Sequence, residues 1–207
     1  MTAKTTQTNI SHKDKIENID DNGDRQKIIH FALDENSVPH NAEVEHERRV
    51  AIFDLLEKNS FAPLNCPPGP YHVTLSLVDK GLKLNIRDKK DEDLKTIELS
   101  LIGFRRIVKD YFLICENHYQ AVRVASPDKI ETIDQGRRAL HNEAAQLLQE
   151  KLARWLIVDF DTARRLFTLI CVLHARHQKA TLGVDFQHFS SHSSDLTRRS
   201  SDLTKKE

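Results

Sequence analysis

Residues 71–87 read YHVTLSLVDKGLKLNIR, and apolar side chains alternate with polar ones on both sides of Asp79-Lys80-Gly81. Successive side chains of a β-strand point to opposite faces of the sheet, so each half of this segment is expected to bury one face. Two such runs joined by a short turn that contains glycine predict a β-hairpin with one solvent-exposed face. Leu94–Leu99 follows closely and can add a third strand.

Three helices are predicted C-terminal to these strands. Apolar residues recur every three or four positions within Phe104–Tyr119, which is the pattern of an amphipathic helix. Ser126-Pro127-Asp128 offers an N-cap residue, a proline at the first helical position and an early acidic residue, so a second helix is expected over Ser126–Leu152. A third helix is expected to begin at the cap Asp161 and to run through Arg176, with apolar side chains around most of its circumference.

The remaining elements complete a mixed pattern. Ile28–Leu33 predicts a short strand, Glu43–Lys58 has helical spacing, and Trp155–Val158 predicts another short strand. Phe61–Pro70 contains four prolines and a glycine and is therefore predicted to be a loop. The expected fold class is α+β, with a small, mostly antiparallel sheet that includes the hairpin and packs against about four helices.

The chain length and composition predict one domain with two tails. The chain has 207 residues, of which 39% are hydrophobic, enough for one buried core. Residues 1–24 have almost no large apolar side chains and are expected to form a disordered N-terminal tail. Residues 25–177 are expected to form a single α+β domain. Residues 178–207 are read as a low-complexity tail, because they contain the near-repeat SSDLTRR and SSDLTKK.

Charge and cysteine usage exclude several function classes. Basic and acidic residues both number 31, so neither generic nucleic-acid binding nor attraction to an anionic membrane is expected. No apolar run approaches the length of a membrane span, and the N-terminal residues contain no apolar h-region, so export is not expected. The three cysteines are widely spaced, which fits a reducing cytoplasm better than a disulfide framework. Neither GxGxxG nor a P-loop is present, and no cofactor is predicted.

Four segments of the chain resemble a known family. They are Glu45-His46-Glu47-Arg48 with the following Val50–Leu55, Gly69-Pro70-Tyr71, residues 134–143, and residues 159–169. In this order, across roughly residues 26–175, the chain resembles the bacterial uncharacterised protein family 0262. The family name states no activity, so the resemblance implies a shared bacterial domain and gives no residue a role.

Three polar residues interrupt the apolar face of the helix predicted to start at Ser126. At about 100° per residue, Arg137 falls near the centre of that face, His141 beside it and Asp134 at its edge. A buried guanidinium cannot lose its charge and needs a carboxylate, carbonyl groups or a bound anion. Gly136 is poor in a helix interior and would let a backbone or a ligand approach closely.

The helix predicted over residues 43–58 has a similar polar group, formed by Glu45, His46 and Arg49. If the two helices pack face to face, these residues could join Arg137 and His141 in one cluster. One interpretation is structural, with Glu45 paired to Arg49 and Asp134 paired to Arg137 or Arg138. The other is a pocket for a small anion such as phosphate or carboxylate, with His141 as an acid or base near neutral pH.

Other polar residues offer weaker candidates. Arg164 and Thr168 form a polar strip on the last predicted helix, next to Arg165; this strip is expected to be a solvated face or, failing that, to face a partner. The spacing points to no metal centre, although a pairing of His46 with His141 or His174 stays open.

Two function classes follow from these candidates. The favoured one is a non-enzymatic, cytoplasmic binding or adaptor domain for a protein partner or a small anionic ligand. The alternative is a small-molecule enzyme, possibly a hydrolase. It would use His141 with Glu45 or Asp134 and hold its substrate on Arg49 and Arg137.

Overall fold

The structure is a computed structural model that describes residues 26–34, 42–78 and 81–182, without the side chains of residues 42–44, 47 and 174–182. The predicted N-terminal tail, the hairpin residues Asp79 and Lys80 and most of the predicted C-terminal tail lie outside the described residues. The elements, in chain order, are β1 (Ile28–Leu33), α1 (Ala42–Glu57), β2 (Phe61–Pro63), β3 (Tyr71–Val78), β4 (Gly81–Asp88), β5 (Asp93–Ser100), a 3₁₀ turn (Ile102–Phe104), α2 (Arg105–Val124), α3 (Pro127–Leu152), β6 (Leu156–Val158) and α4 (Phe160–Leu182).

The predicted hairpin forms the centre of a four-stranded sheet with the order β1-β3-β4-β5. The β3–β4 and β4–β5 pairs are antiparallel, with Leu75 opposite Leu84 on the buried face. The β1–β3 pair is parallel, because α1 and β2 lie between these strands and return the chain to the same end of the sheet. The fold is α+β, as the sequence predicts.

The prediction of an uninterrupted loop over Phe61–Pro70 is wrong at its start. Phe61–Pro63 forms β2, which pairs antiparallel with β6, so that Phe61 lies opposite Val158. The pairing continues in the hydrogen bond from Leu64 N to Trp155 O, at 2.8 Å. A three-residue strand is too short to show an alternating pattern, and the prolines after it conceal its presence.

The two predicted helix caps have different outcomes. α3 begins at Pro127, after Ser126, as the sequence predicts; the carbonyl of Ser126 accepts the first bonds, while its side chain makes no capping bond. Asp161, however, is not the cap of α4. Asp159 occupies that position: its Oδ1 accepts from Thr162 N at 2.6 Å, and its carbonyl accepts from Ala163 N at 3.0 Å. α4 ends at Leu182, beyond the predicted end at Arg176.

α3 and α4 each pack against two other helices. α4 contacts α1 and α3, and α3 also contacts α2. One continuous core joins the buried face of the sheet to the helices, and its largest fully buried side chains include Tyr71, Phe61, Phe104, Phe112 and Phe167. No helix in the described part of the chain is long and apolar enough to cross a membrane. Three of the six candidate site residues, Asp134, Arg137 and His141, lie on the buried side of α3.

Candidate functional site

Three predicted site residues lie on the buried face of α3. Asp134 is 8% exposed, Arg137 is 3% exposed and His141 is 2% exposed. Their spacing of three and four residues places them on one side of the helix. The Arg137 guanidinium is therefore turned into the protein, close to α2 and α4.

Asp134 is the shared partner of two arginines. Its Oδ1 accepts from Arg137 Nε at 3.0 Å and from Arg137 Nη2 at 2.6 Å, and its Oδ2 accepts from Arg138 Nε at 2.7 Å. Burial acts to raise the pKa of Asp134, but the hydrogen bonds and charges of Arg137 and Arg138 together lower it. His118 of α2 also approaches, with its Nε2 at 3.8 Å from Oδ1. The carboxylate is therefore ionised, and both of its oxygens accept hydrogen bonds from arginine side chains.

His141 is enclosed by aromatic rings. The rings of Tyr111 and Phe167 meet it edge to face, with centroids at 5.4 Å and 5.2 Å. Burial, assisted by the charges of Arg164 and Arg137, lowers the pKa of His141 to about 3. The imidazole is therefore neutral near pH 7 and is poorly suited to exchange protons there.

The hydrogen bonds around Thr168 assign the tautomer of His141. The Thr168 hydroxyl donates to the Arg164 carbonyl at 3.3 Å, so it accepts from the Nε2–H of His141 at 3.1 Å. Nδ1 is then the unprotonated nitrogen. It is buried, and no donor in the described part of the chain reaches it.

The structure does not bring Glu45, His46 and Arg49 to this site. They lie on α1, which packs against α4 rather than face to face with α3. His46 and Arg49 are exposed. The predicted pair of Glu45 and Arg49 is wrong: Arg48 Nη2 donates to Glu45 Oε1, and Arg49 Nε reaches only the Glu45 carbonyl, at 3.4 Å. The proposed pairing of His46 with His141 fails for the same reason, and the side chain of His174 lies outside the described residues.

Gly136 allows a close approach by a side chain of α2. A Cβ atom at this position would lie 2.9 Å from Ile114 Cδ1. The neighbour is part of the protein's own helix packing, so this glycine does not indicate a ligand.

Arg164 and Arg165 are the residues whose importance the sequence underestimates. Both are half-buried rather than solvated. Nε of Arg164 and both Nε and Nη1 of Arg165 are buried, and no acceptor among the described residues takes a hydrogen bond from them. Arg164 Cζ lies 6.0 Å from the centroid of the Phe160 ring, a weak contact for a charged group.

The charge around Arg164 is unfavourable. Burial lowers its pKa, Asp161 and Tyr111 oppose this, and the positive charges of Arg165 and Arg138 lower the pKa further. Arg164 precedes Thr168 by four residues and thus shares the side of α4 that contacts α3. Arg138, Arg164 and Arg165 are called the guanidinium cluster below.

Metal ligation has little support at this site. No group of three or more histidine, cysteine, aspartate or glutamate side chains in the described ranges could hold a metal ion. The chemistry that the guanidinium cluster offers is hydrogen bonding to an anion.

Comparison with known proteins identifies the family. The match to the uncharacterised protein family UPF0262 covers residues 25–176. This chain belongs to UPF0262. A UPF0262 protein of Rhizobium leguminosarum is 53% identical over 150 residues, which cover 72% of this chain and 96% of that protein. UPF0262 proteins of Erythrobacter litoralis and Brucella anthropi are 50% and 53% identical, over 73% and 72% of this chain and 98% and 94% of those proteins. No solved structure matches the chain.

The UPF0262 match contains the whole site. Residues 134–143 supply Asp134, Arg137, Arg138 and His141, and residues 159–169 supply the Asp159 cap, Arg164 and Arg165. Two of the four segments on which the family resemblance rests therefore meet at the α3–α4 interface, where His141 contacts Thr168.

Proposed function

We propose that this UPF0262 protein is a non-enzymatic binding domain for a small anionic ligand, which the guanidinium cluster holds. The main support is the set of buried N–H donors of Arg164 and Arg165 that no acceptor in the described residues takes. A buried donor without an acceptor costs about 1–3 kcal/mol, and more when it is charged. A bound anion would supply both the acceptors and the missing negative charge.

An enzyme built on His141 has weaker support. A general acid or base works best when its pKa lies near the working pH, whereas the pKa of His141 is about 3. Glu45, one of its two suggested partners, lies on a helix that does not pack face to face with α3. Asp134, the other, is already bound by Arg137 and Arg138.

The proposal also includes the cellular compartment and the class of ligand. We place the binding reaction in the cytoplasm, where the three free cysteines would stay reduced. The balanced total charge favours a discrete small ligand over generic binding to nucleic acid or to an anionic membrane.

The test is the thermal stability of the full chain with and without inorganic phosphate. A ligand at a hundred times its Kd stabilises the folded state by about 2.7 kcal/mol. For a chain of this size that corresponds to a rise in Tm of roughly 5–10 °C. Arg164→Met and Arg165→Met should each remove most of this rise.

The matched control is Arg106→Met on α2, whose side chain is 94% exposed; it should keep the full response to phosphate. Without phosphate, Arg164→Met should be at least as stable as the natural chain, because it replaces a half-buried cation, whose buried Nε has no acceptor among the described residues, by an apolar side chain. The proposal is wrong if phosphate, sulfate and acetate all leave the Tm of the natural chain unchanged, or if Arg164→Met and Arg165→Met respond like Arg106→Met.

A further inference from the structure

We infer that the ligand of the guanidinium cluster is a phosphoryl dianion, either free phosphate or the phosphate group of a small phosphomonoester, rather than a monocarboxylate. This inference rests on the proposed function and specifies its ligand class. It is argued from the charge around the cluster and from the number of buried donors.

The guanidinium cluster and its neighbour Arg137 carry more positive charge than the carboxylates that pair with them or act on them in the described residues. Arg137 and Arg138 share one carboxylate, that of Asp134. Arg164 and Arg165 are accompanied by one acidic side chain that acts on Arg164, that of Asp161. Four guanidinium groups against two carboxylates leave a formal charge of +2, because His141 is neutral. A dianion compensates this charge fully, and a monoanion leaves half of it.

The buried N–H donors of the cluster are also more numerous than the two oxygens of a carboxylate. A carboxylate has two oxygens, which one guanidinium fork can occupy, as in a bidentate arginine pair. A phosphate monoester has three terminal oxygens that accept hydrogen bonds. The three buried donors that find no acceptor among the described residues, Arg164 Nε with Arg165 Nε and Nη1, belong to two adjacent arginines. A tetrahedral group can accept from both forks from different directions.

The titratable groups of the protein at this site that show a shift have pKa values moved away from neutral pH. On α2, burial raises the pKa of Tyr111 and of Cys115 and lowers that of His118. On α3, the arginines lower the pKa of Asp134, and burial lowers that of His141. On α4, burial raises the pKa of Cys171, and the charge of Asp161 acts on Arg164. The second phosphate pKa of the ligand, about 6, lies between the values of about 3 for His141 and about 11 for Cys115.

The experiment is calorimetric titration of the full chain with methyl phosphate, inorganic phosphate, sulfate and acetate, at about pH 8 and about pH 5. Sulfate remains a dianion at both values. We expect methyl phosphate to bind roughly tenfold more weakly at the lower pH, because only about a tenth of it is then doubly charged. Sulfate should bind equally at both, and acetate at least tenfold more weakly than sulfate.

The outcomes separate this inference from the proposed function. If acetate binds as tightly as sulfate, the inference that the ligand is a dianion is wrong, while the proposal of anion binding still holds. A sulfate affinity that changes with pH as much as that of methyl phosphate would place the titration on the protein and also overturn this inference. Failure of all four anions would overturn the proposed function itself. Binding of inorganic phosphate without methyl phosphate supports free phosphate as the source, and comparable binding of both supports a phosphomonoester.

Discussion

Arg137 donates both Nε and Nη2 to the same oxygen of Asp134, and the pair is enclosed between α3 and α2. The second oxygen of Asp134 is taken by Arg138. One carboxylate thus pairs with two guanidinium groups, so we expect the loss of Asp134 to destabilise the fold more than the loss of Arg138.

Asp134→Asn should lower the free energy of unfolding by about 3 kcal/mol, because it leaves a buried guanidinium without a counter-charge. Arg138→Gln should cost at most about 1 kcal/mol, since this side chain is partly solvated and its loss leaves Arg137 paired. Urea unfolding of the three proteins at pH 7 measures both differences.

The control for Asp134 is Asp110→Asn on α2. Asp110 pairs with the exposed Arg106 at 3.7 Å, where solvent screens the interaction, so the substitution should be nearly neutral. Equal losses at positions 110 and 134 would show that the buried pair has no special role in stability.

The burial of His141 predicts how stability depends on pH. The folded pKa is about 3, well below the ordinary value of 6.5, so the unfolded chain binds a proton here before the folded chain does. This contribution is fully present above about pH 6.5 and is lost as the pH falls toward 3. The expected slope is roughly 1 kcal/mol per pH unit within that window.

His141→Phe should remove this slope, because Phe fits among the aromatic neighbours and does not titrate. The measurement is the free energy of unfolding at about pH 7 and pH 5, compared with that of His46→Asn on the exposed face of α1. His118, whose pKa burial also lowers, remains in all three proteins and gives a common background. Parallel pH curves for His141→Phe and the natural chain would contradict the prediction.

The elements that the sequence predicts correctly are those with a local signal. The alternation over residues 71–87 and the Ser126-Pro127 start of α3 are readable within one element, since each depends on neighbours a few positions away. β2 has only three residues and pairs with β6, which lies more than ninety positions away in the chain. No local pattern reports such a pair.

The candidate site also has one part that local spacing predicts and another that depends on tertiary packing. The bond between Asp134 and Arg137 spans three residues of one helix and can be anticipated from spacing alone. Which helices meet is a tertiary property, and the expected cluster of two helices failed because α4, rather than α1, packs against that side of α3. Arg164 lies on the same helix and becomes half-buried for that reason. The sequence predicts instead a solvated face or, failing that, a face toward a partner.

The identity of the residue that caps α4 can be tested by replacing two nearby acidic residues, one at a time. Asp159→Ala should cost about 1 kcal/mol of unfolding free energy, because it removes the acceptor for Thr162 N. Asp161→Ala, two residues later, loses no capping bond and only weaker interactions with the helix dipole and with the charge of Arg164, typically about 0.5 kcal/mol. Thermal unfolding of both variants decides which residue is the cap; a larger loss at Asp161 would restore the assignment made from the sequence.

Gly136 permits a prediction about packing between α2 and α3. A helix interior favours alanine over glycine by about 1 kcal/mol. The Cβ of an alanine at position 136, however, would lie 2.9 Å from Ile114 Cδ1. Because that atom is the end of a flexible side chain, it can move at a small cost, and Gly136→Ala should be close to neutral in the natural chain. Ile114→Val removes Cδ1 and with it the conflict. In that background Gly136→Ala should therefore stabilise by nearly the full 1 kcal/mol, measured as the non-additive part of a double-mutant cycle. If the two substitutions are additive, the contact with Ile114 is not what opposes alanine at position 136.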